Sequence, residues 1–185
     1  MRTPWIAVLV LLALSGLTAS CSRPQADTET QRILDLIRQC NPNDDHYKQE
    51  NVKACTAALA EPKLTPADRA ITFNIRGNTY DALGQYDLAI ADYEEVTRLR
   101  PDLAMGYGNL GLEYCRKGDF KAAVAQFDEA LKRSPDYSFA MYGRGVALSR
   151  LGQVDAAREQ LDKVNKVDPE IAAVYRQIKM EPVTR

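Results

Sequence analysis

One spacing, thirty-four residues, governs this chain. Gly77, Gly111 and Gly145 stand 34 apart, Gly84, Gly118 and Gly152 repeat the step, and so do Pro101, Pro135 and Pro169. Apolar columns keep the same register: Phe73, Tyr107 and Met141; Tyr80, Tyr114 and Leu148; Tyr86, Phe120 and Val154. Small residues recur at Ala89, Ala123 and Ala157, then large ones at Tyr93, Phe127 and Leu161, then Val96, Ala130 and Val164. Six glycines in two columns are no accident of composition. Self-similarity with a period of tens of residues marks an array of supersecondary units, each too small to bury its own apolar face.

The spacing inside each unit says what that unit is. The aromatic and Leu columns fall at i, i+3, i+4 and i+7, so each repeat reads as two helices with apolar stripes. The first Gly column lets helix A approach helix B closely. The second ends helix A with a left-handed cap, which only glycine adopts cheaply. The Ala column keeps the hairpin tight in mid-helix B. The prolines are expected to start the next helix at or near its first position, with Ser134 and Asp168 as N-caps. Stacked hairpins then share a core, and Pro169–Met180, with Ile171, Val174, Tyr175 and Ile178 on one side, is predicted to cap the last one.

A degenerate unit precedes the first full repeat. Val52, Cys55 and Leu59 align under Tyr86, Ala89 and Tyr93, so residues 49–60 read as a helix B. A helix from about residue 29 to Cys40, apolar at Ile33, Leu34, Leu36 and Ile37, stands before it. Thr65-Pro66-Ala67-Asp68 opens the first full repeat with a cap, a proline at the first helical position and an acid at the third. Cys40 and Cys55 face a choice between a disulfide, if the compartment is oxidising, and a buried small residue at Cys55. Cys115 has no counterpart and reads as a buried, inert thiol.

Chemistry is scarce. With 24 basic and 25 acidic residues the net charge is -1, which gives nucleic acid no electrostatic reason to bind. A single histidine leaves little room for a Ser/His/Asp, Cys/His or multi-histidine metal centre. Asn41, Asn43 and Asp45 begin like a calcium loop, but His46 replaces the required Gly and Val52 the closing Glu. The acidic pairs Asp44/Asp45 and Glu94/Glu95 diverge from one another, and no glycine-rich phosphate loop occurs. No catalytic residue, metal site, cofactor or small-molecule substrate is expected. Arg76 and Arg144 stand in an otherwise apolar column, where Asp92 is the expected partner of Arg76 and Gln160 a weaker one for Arg144.

The first twenty residues differ from the rest. Arg2 precedes an apolar run, Trp5 to Leu14, too short to span a bilayer, then small residues to Ser20 and Cys21. Leu17-Thr18-Ala19-Ser20-Cys21 resembles the lipobox of bacterial lipoproteins, with Thr18 where leucine usually stands. That resemblance implies a signal peptide over 1–20, lipidation of Cys21, a polar tether over 21–28 and, with Ser22 next, an outer-membrane lipoprotein facing the periplasm. The alternative is an ordinary cleaved signal and a soluble periplasmic protein.

Tyr107, Leu110, Gly111, Tyr114, Ala123, Phe127 and Pro135 resemble the tetratricopeptide repeat pattern in full. The likeness covers residues 70–171, as repeats 70–103, 104–137 and 138–171 after a unit over 29–69, with 172–185 ending a capping helix that starts near 169. It implies an all-α, right-handed solenoid of helix-turn-helix units. It also implies a concave groove lined by helix A, here Ile71, Asn74, Asn78 and Asp81, then Met105, Gly108, Leu112 and Cys115, then Phe139, Tyr142, Val146 and Ser149. One subgroup of the family grips a C-terminal carboxylate with Lys, Arg and Asn. Asn74 and Asn78 are present but no matching Lys or Arg is, which argues against that clamp. The groove would take a protein or peptide with apolar side chains, with Met105, Phe139 and Tyr142 as anchors. The alternative is that the same residues contact the capping helix or the N-terminal unit. The implied function is a non-enzymatic scaffold of the cell envelope, membrane-held through lipid, with a pilotin-like assembly factor as the alternative.

Overall fold

The computed structural model describes residues 28–40, 49–177, 180 and 182. Among these residues the chain forms helices and no strand. Cys21, His46 and the Asn41–Asp45 motif lie outside the described residues. The helices run α1 (Thr28–Cys40), α2 (Gln49–Leu59), α3 (Pro66–Ala82), α4 (Tyr86–Leu99), α5 (Ala104–Arg116), α6 (Phe120–Arg133), α7 (Ser138–Arg150), α8 (Val154–Val167) and α9 (Ile171–Gln177). Each helix from α2 to α8 packs on its predecessor, and α5 also packs on α7. This is an all-α solenoid of hairpins. No described helix is long and apolar enough to cross a membrane.

The glycine columns act as their spacing predicts. Gly84, Gly118 and Gly152 have φ of 73°, 81° and 77°, each just after helix A. A Cβ on Gly77 would lie 2.7 Å from the Tyr93 ring, one on Gly111 2.7 Å from the Phe127 ring, and one on Gly145 2.8 Å from Leu161. Each close approach joins helix A to helix B of the same repeat. Ala89, Ala123, Phe127, Val96, Ala130 and Val164 are fully enclosed between the layers.

Two features differ from the sequence expectation. Pro101 and Pro135 occupy the turns between repeats, while α5 and α7 begin three residues later, at Ala104 and Ser138. Ser134 and Asp168 close α6 and α8 as C-caps. The prolines therefore block continuation of the preceding helix, which their missing N–H does as effectively as it tolerates a first turn. Asp168 still reaches forward: its carboxylate accepts from the Ile171 N–H (3.1 Å) and the Ser138 hydroxyl (2.6 Å). Only Thr65-Pro66 starts a helix as expected, with the Asp68 N–H donating to the Thr65 hydroxyl oxygen at 3.1 Å.

The N-terminal unit is a hairpin of α1 and α2, which also contacts α3. A disulfide joins Cys40 to Cys55, both fully buried. Arg32 pairs with Glu61, and Arg69 donates to the Leu59 and Glu61 carbonyls at 2.6 and 3.2 Å, tying α3 to the end of α2.

Candidate functional site

Helix A of each repeat supplies two kinds of side chain. One stripe enters the hairpin core, and the stripe beside it carries the residues expected to line the groove.

Within the core stripe, Arg76 stands in an apolar column. Its guanidinium donates from Nε and Nη2 to both oxygens of Asp92 at 2.8 and 2.7 Å, and from Nη1 to Thr56 at 3.0 Å. Phe73 and Tyr80 flank it, with ring centroids 5.5 and 5.7 Å away. Burial raises the Asp92 carboxyl above its usual range against the pull of Arg76. This bidentate pair, satisfied on every side, is structural. Arg144 donates to Gln160 at 3.3 Å, but its shorter bond, 2.6 Å, goes to Asp128 on α6. The main partner thus sits in the preceding repeat, where column alignment within one repeat could not find it.

The second stripe divides into an open part and a covered part. Ile71 and Met105, the same register position in successive repeats, are 54% and 39% exposed. Between them Asn109 donates to Asn74 at 3.0 Å, and the Tyr93 hydroxyl donates to Asn78 at 2.8 Å. Both predicted asparagines are therefore committed to contacts within the fold. Asp81 is engaged as well, with Arg116 Nε 3.1 Å from its Oδ1.

In the covered part, Phe139 and Tyr142 meet the capping helix, the second of the two readings given to them by the sequence. Leu112, Tyr142 and Val146 are buried in one apolar cluster with Val164, Ile171 and Tyr175, and Phe139 packs against it. The Tyr175 ring lies 5.1 Å from Phe139 and 4.9 Å from Tyr142, centroid to centroid, and its hydroxyl donates to the Phe139 carbonyl at 2.8 Å. Cys115 and Ser149 are buried too, and Gly108 is roofed by Tyr137, whose ring a Cβ there would meet at 2.9 Å. Phe139, Tyr142, Val146 and Leu112 are thus occupied by the chain's own C-terminal helix. Periodicity places these residues on a face; it does not say which helix covers that face. Of the predicted capping residues, Ile171 and Tyr175 point inward, Val174 is exposed, and Ile178 lies outside the described side chains.

Sequence reasoning missed a buried charged cluster between α3 and α5. Glu113 is fully enclosed, with Asp81 and Arg116 beside it, and its Oε1 is 3.5 Å from Arg116 Nε. Neither Glu113 oxygen has a hydrogen-bond partner. Burial first, then the negative charge of Asp81, pushes its carboxyl up to about 8. The Arg116 guanidinium also lies 5.5 Å from the Tyr86 ring centroid. A cavity of about 370 Å³ opens beside it, lined by Tyr86, Cys115, Arg116, Phe120, Arg150 and Met180. Burial holds the Cys115 thiol up at about 12, so no reactive thiolate faces this space. No group of three or more His, Cys, Asp or Glu that could hold a metal ion occurs among the described residues.

Known proteins place this architecture. Family models of the tetratricopeptide repeat match residues 70–103 and 109–166. No curated protein matches the chain. The second TPR domain of human RPAP3, solved with an HSP70 peptide, is 24% identical over 63% of this chain and 100% of its own, with a TM-score of 0.55. The yeast Sti1 TPR2B domain, solved with a pHsp70 complex, is 21% identical over 60% of this chain and 90% of its own, with a TM-score of 0.54. A MamA double mutant is 20% identical over 77% of both chains, with a TM-score of 0.64. At these identities the solved structures speak for the fold. With two matching family models on a 34-residue solenoid, the chain belongs to the tetratricopeptide repeat family.

Proposed function

We propose that this protein is a non-enzymatic interaction scaffold that binds a polypeptide segment along the helix A face of its repeats. One observation carries the reading: Ile71 and Met105 stay exposed in matching positions of adjacent repeats, on a face whose other apolar residues are buried or, like Phe139, partly buried. Isolated exposed apolar residues are ordinary, but two in register on a solenoid's ligand-facing stripe form the start of a binding strip. Solved relatives of the same fold hold HSP70 and HSP90 peptides, which supports a peptide as ligand class. The committed asparagines and the lack of Lys or Arg in the matching columns argue against the carboxylate clamp. Apolar anchoring is the mode left.

The location belongs to the same proposal. The lipobox-like segment ending at Cys21 would hold the scaffold on the outer membrane, facing the periplasm. There it would organise envelope proteins or, as a pilotin would, escort a secretion or pilus component. Metabolic acyl labelling tests the anchor: label on the wild type and none on Cys21→Ala is expected, and an unlabelled wild type leaves a soluble periplasmic scaffold. Ile71→Asp/Met105→Asp tests the surface. Partners recovered from membranes by the wild type and lost by this double variant, at unchanged helicity, are expected; undiminished capture would remove this face from the function.

A further inference from the structure

We propose that α9 is a built-in, displaceable occupant of the binding face, and that the partner is an amphipathic helix seating an aromatic ring where Tyr175 now sits. The inference rests on the scaffold reading and names the chemistry of its ligand.

The packing of α9 is the first observation. By sequence, Tyr175 continues the column of Phe73, Tyr107 and Met141, so α9 has the register of a fourth helix A. The earlier helices of that register stack on the helix B before them, α5 on α4 and α7 on α6. Instead α9 packs chiefly on α7 and leaves Val167, at the end of α8, 70% exposed. Its ring lands among Phe139, Tyr142 and Val146, the residues that should line the groove.

The seat itself is built for a ring with a hydroxyl. Gly143 stands where the preceding repeats carry Asn109 and Ile75. A Cβ at Gly143 would lie 2.2 Å from the Tyr175 hydroxyl oxygen and 2.4 Å from the Phe127 ring, so glycine makes room both for Phe127 of the second repeat and for the hydroxyl that reaches the Phe139 carbonyl. This recess is special to the third repeat and matched to an aromatic side chain. Met180 continues the coverage, packing against the clusters of both the second and third repeats and lining the cavity beside Arg116.

The occupant is held through few side chains. A helix as short as the described part of α9, Ile171–Gln177, does not persist alone in water. Ile171 and Tyr175, four apart, are its buried residues, while Val174 is 41% exposed. Its main advantage is tethering to α8, which acts as a high effective concentration. A partner helix with an aliphatic and an aromatic residue four apart, plus further contacts toward Met105 and Ile71, offers the same anchor and more surface. Binding then trades α9 for the partner.

The test uses the full chain and a labelled synthetic peptide spanning residues 168–182. Wild type should bind it weakly, because the seat is filled. Tyr175→Ala, which empties the seat, should bind roughly a hundred-fold more tightly, as expected when a tethered competitor of millimolar effective concentration is removed. A peptide with its own Tyr175→Ala should not bind. Equal affinity of wild type and Tyr175→Ala, or no binding to a helical Tyr175→Ala chain, overturns the proposal. If Tyr175→Ala fails to fold, Tyr175→Phe keeps the ring and loses the hydroxyl bond; it should bind at an intermediate affinity, and an unchanged one overturns the proposal. Self-association of the wild type through α9 would reassign the seat to a second copy and also overturn it. The scaffold reading fails separately, on capture by Ile71→Asp/Met105→Asp: lost capture with no peptide binding keeps the scaffold and removes the gate.

Discussion

Single residues decide the packing of this solenoid in both directions. Gly111 is the tightest of the repeat columns, with three Phe127 ring atoms within 2.9 Å of where a Cβ would stand. Gly111→Ala should therefore cost about 1–3 kcal/mol by overpacking, read as a lower midpoint in urea with an unchanged slope. Loss of less than about 0.5 kcal/mol would mean Phe127 can yield. Glu113 makes a different claim. Its folded carboxyl keeps its proton up to about 8, against 4.5 for an unperturbed glutamate. Between those values the folded state binds more protons than the unfolded one, so this group's contribution to stability falls as pH rises and is fully lost above about 8. Glu113→Gln removes the titration. Thermal midpoints from pH 5 to pH 8 should fall less in the variant than in the wild type; parallel curves would show that the carboxyl ionises freely. The glycine column was legible in the sequence because its spacing is its function. Glu113 was not, since nothing in an i, i+3, i+4 pattern distinguishes a solvated glutamate from one closed over by the next repeat.

At the scale of elements, the N-terminal hairpin depends on a covalent link. The Cys40–Cys55 disulfide closes a loop of 15 residues across α1 and α2. In the chain-entropy model such a loop contributes roughly 3 kcal/mol. Reduction, or Cys40→Ser with Cys55→Ser, should loosen α1 and α2 first, seen as faster amide exchange there while α5 to α8 keep their protection. Uniform loosening would instead tie this hairpin into the cooperative core. The helix expected over 49–60 is α2 (Gln49–Leu59), and the one expected from about residue 29 to Cys40 is α1 (Thr28–Cys40). The caps were harder. A proline after a Ser or Asp reads equally as the stop of one helix or the start of the next, and only α3 takes the second option. Arg144 taught the same lesson sideways, since its short bond to Asp128 crosses a repeat boundary. The destination of α9 was the least legible element. Its apolar pair, Ile171 and Tyr175, would serve equally on the end of α8 or on α7, and the ring settles beside Gly143 of α7, far away in sequence.

For the whole molecule, the repeats are not equally bound to one another. Repeats two and three share extended apolar clusters containing Phe127, Ala140, Ala147, Leu112 and Val146, sealed by Tyr175. The junction of repeats one and two relies more on polar contacts: Asn109 on Asn74, Arg116 on Asp81, Lys117 on Asp87, with Glu113 unsatisfied among them. Solenoid stability is close to a sum of repeat and neighbour terms, so the weaker junction sets where the array opens. The α3–α4 hairpin should then exchange its amides earlier than α5 to α8, at denaturant below the main transition. Equal protection across the junction would show that the polar cluster is as cohesive as the apolar one. The same junction carries Ile71 and Met105, the exposed pair on which ligand binding is proposed. A bound segment spanning both would add apolar contact beyond the Leu110–Tyr93 cluster that already crosses this interface. Partner binding should accordingly slow exchange most in α3 and α5, and raise the midpoint of the early phase rather than the late one.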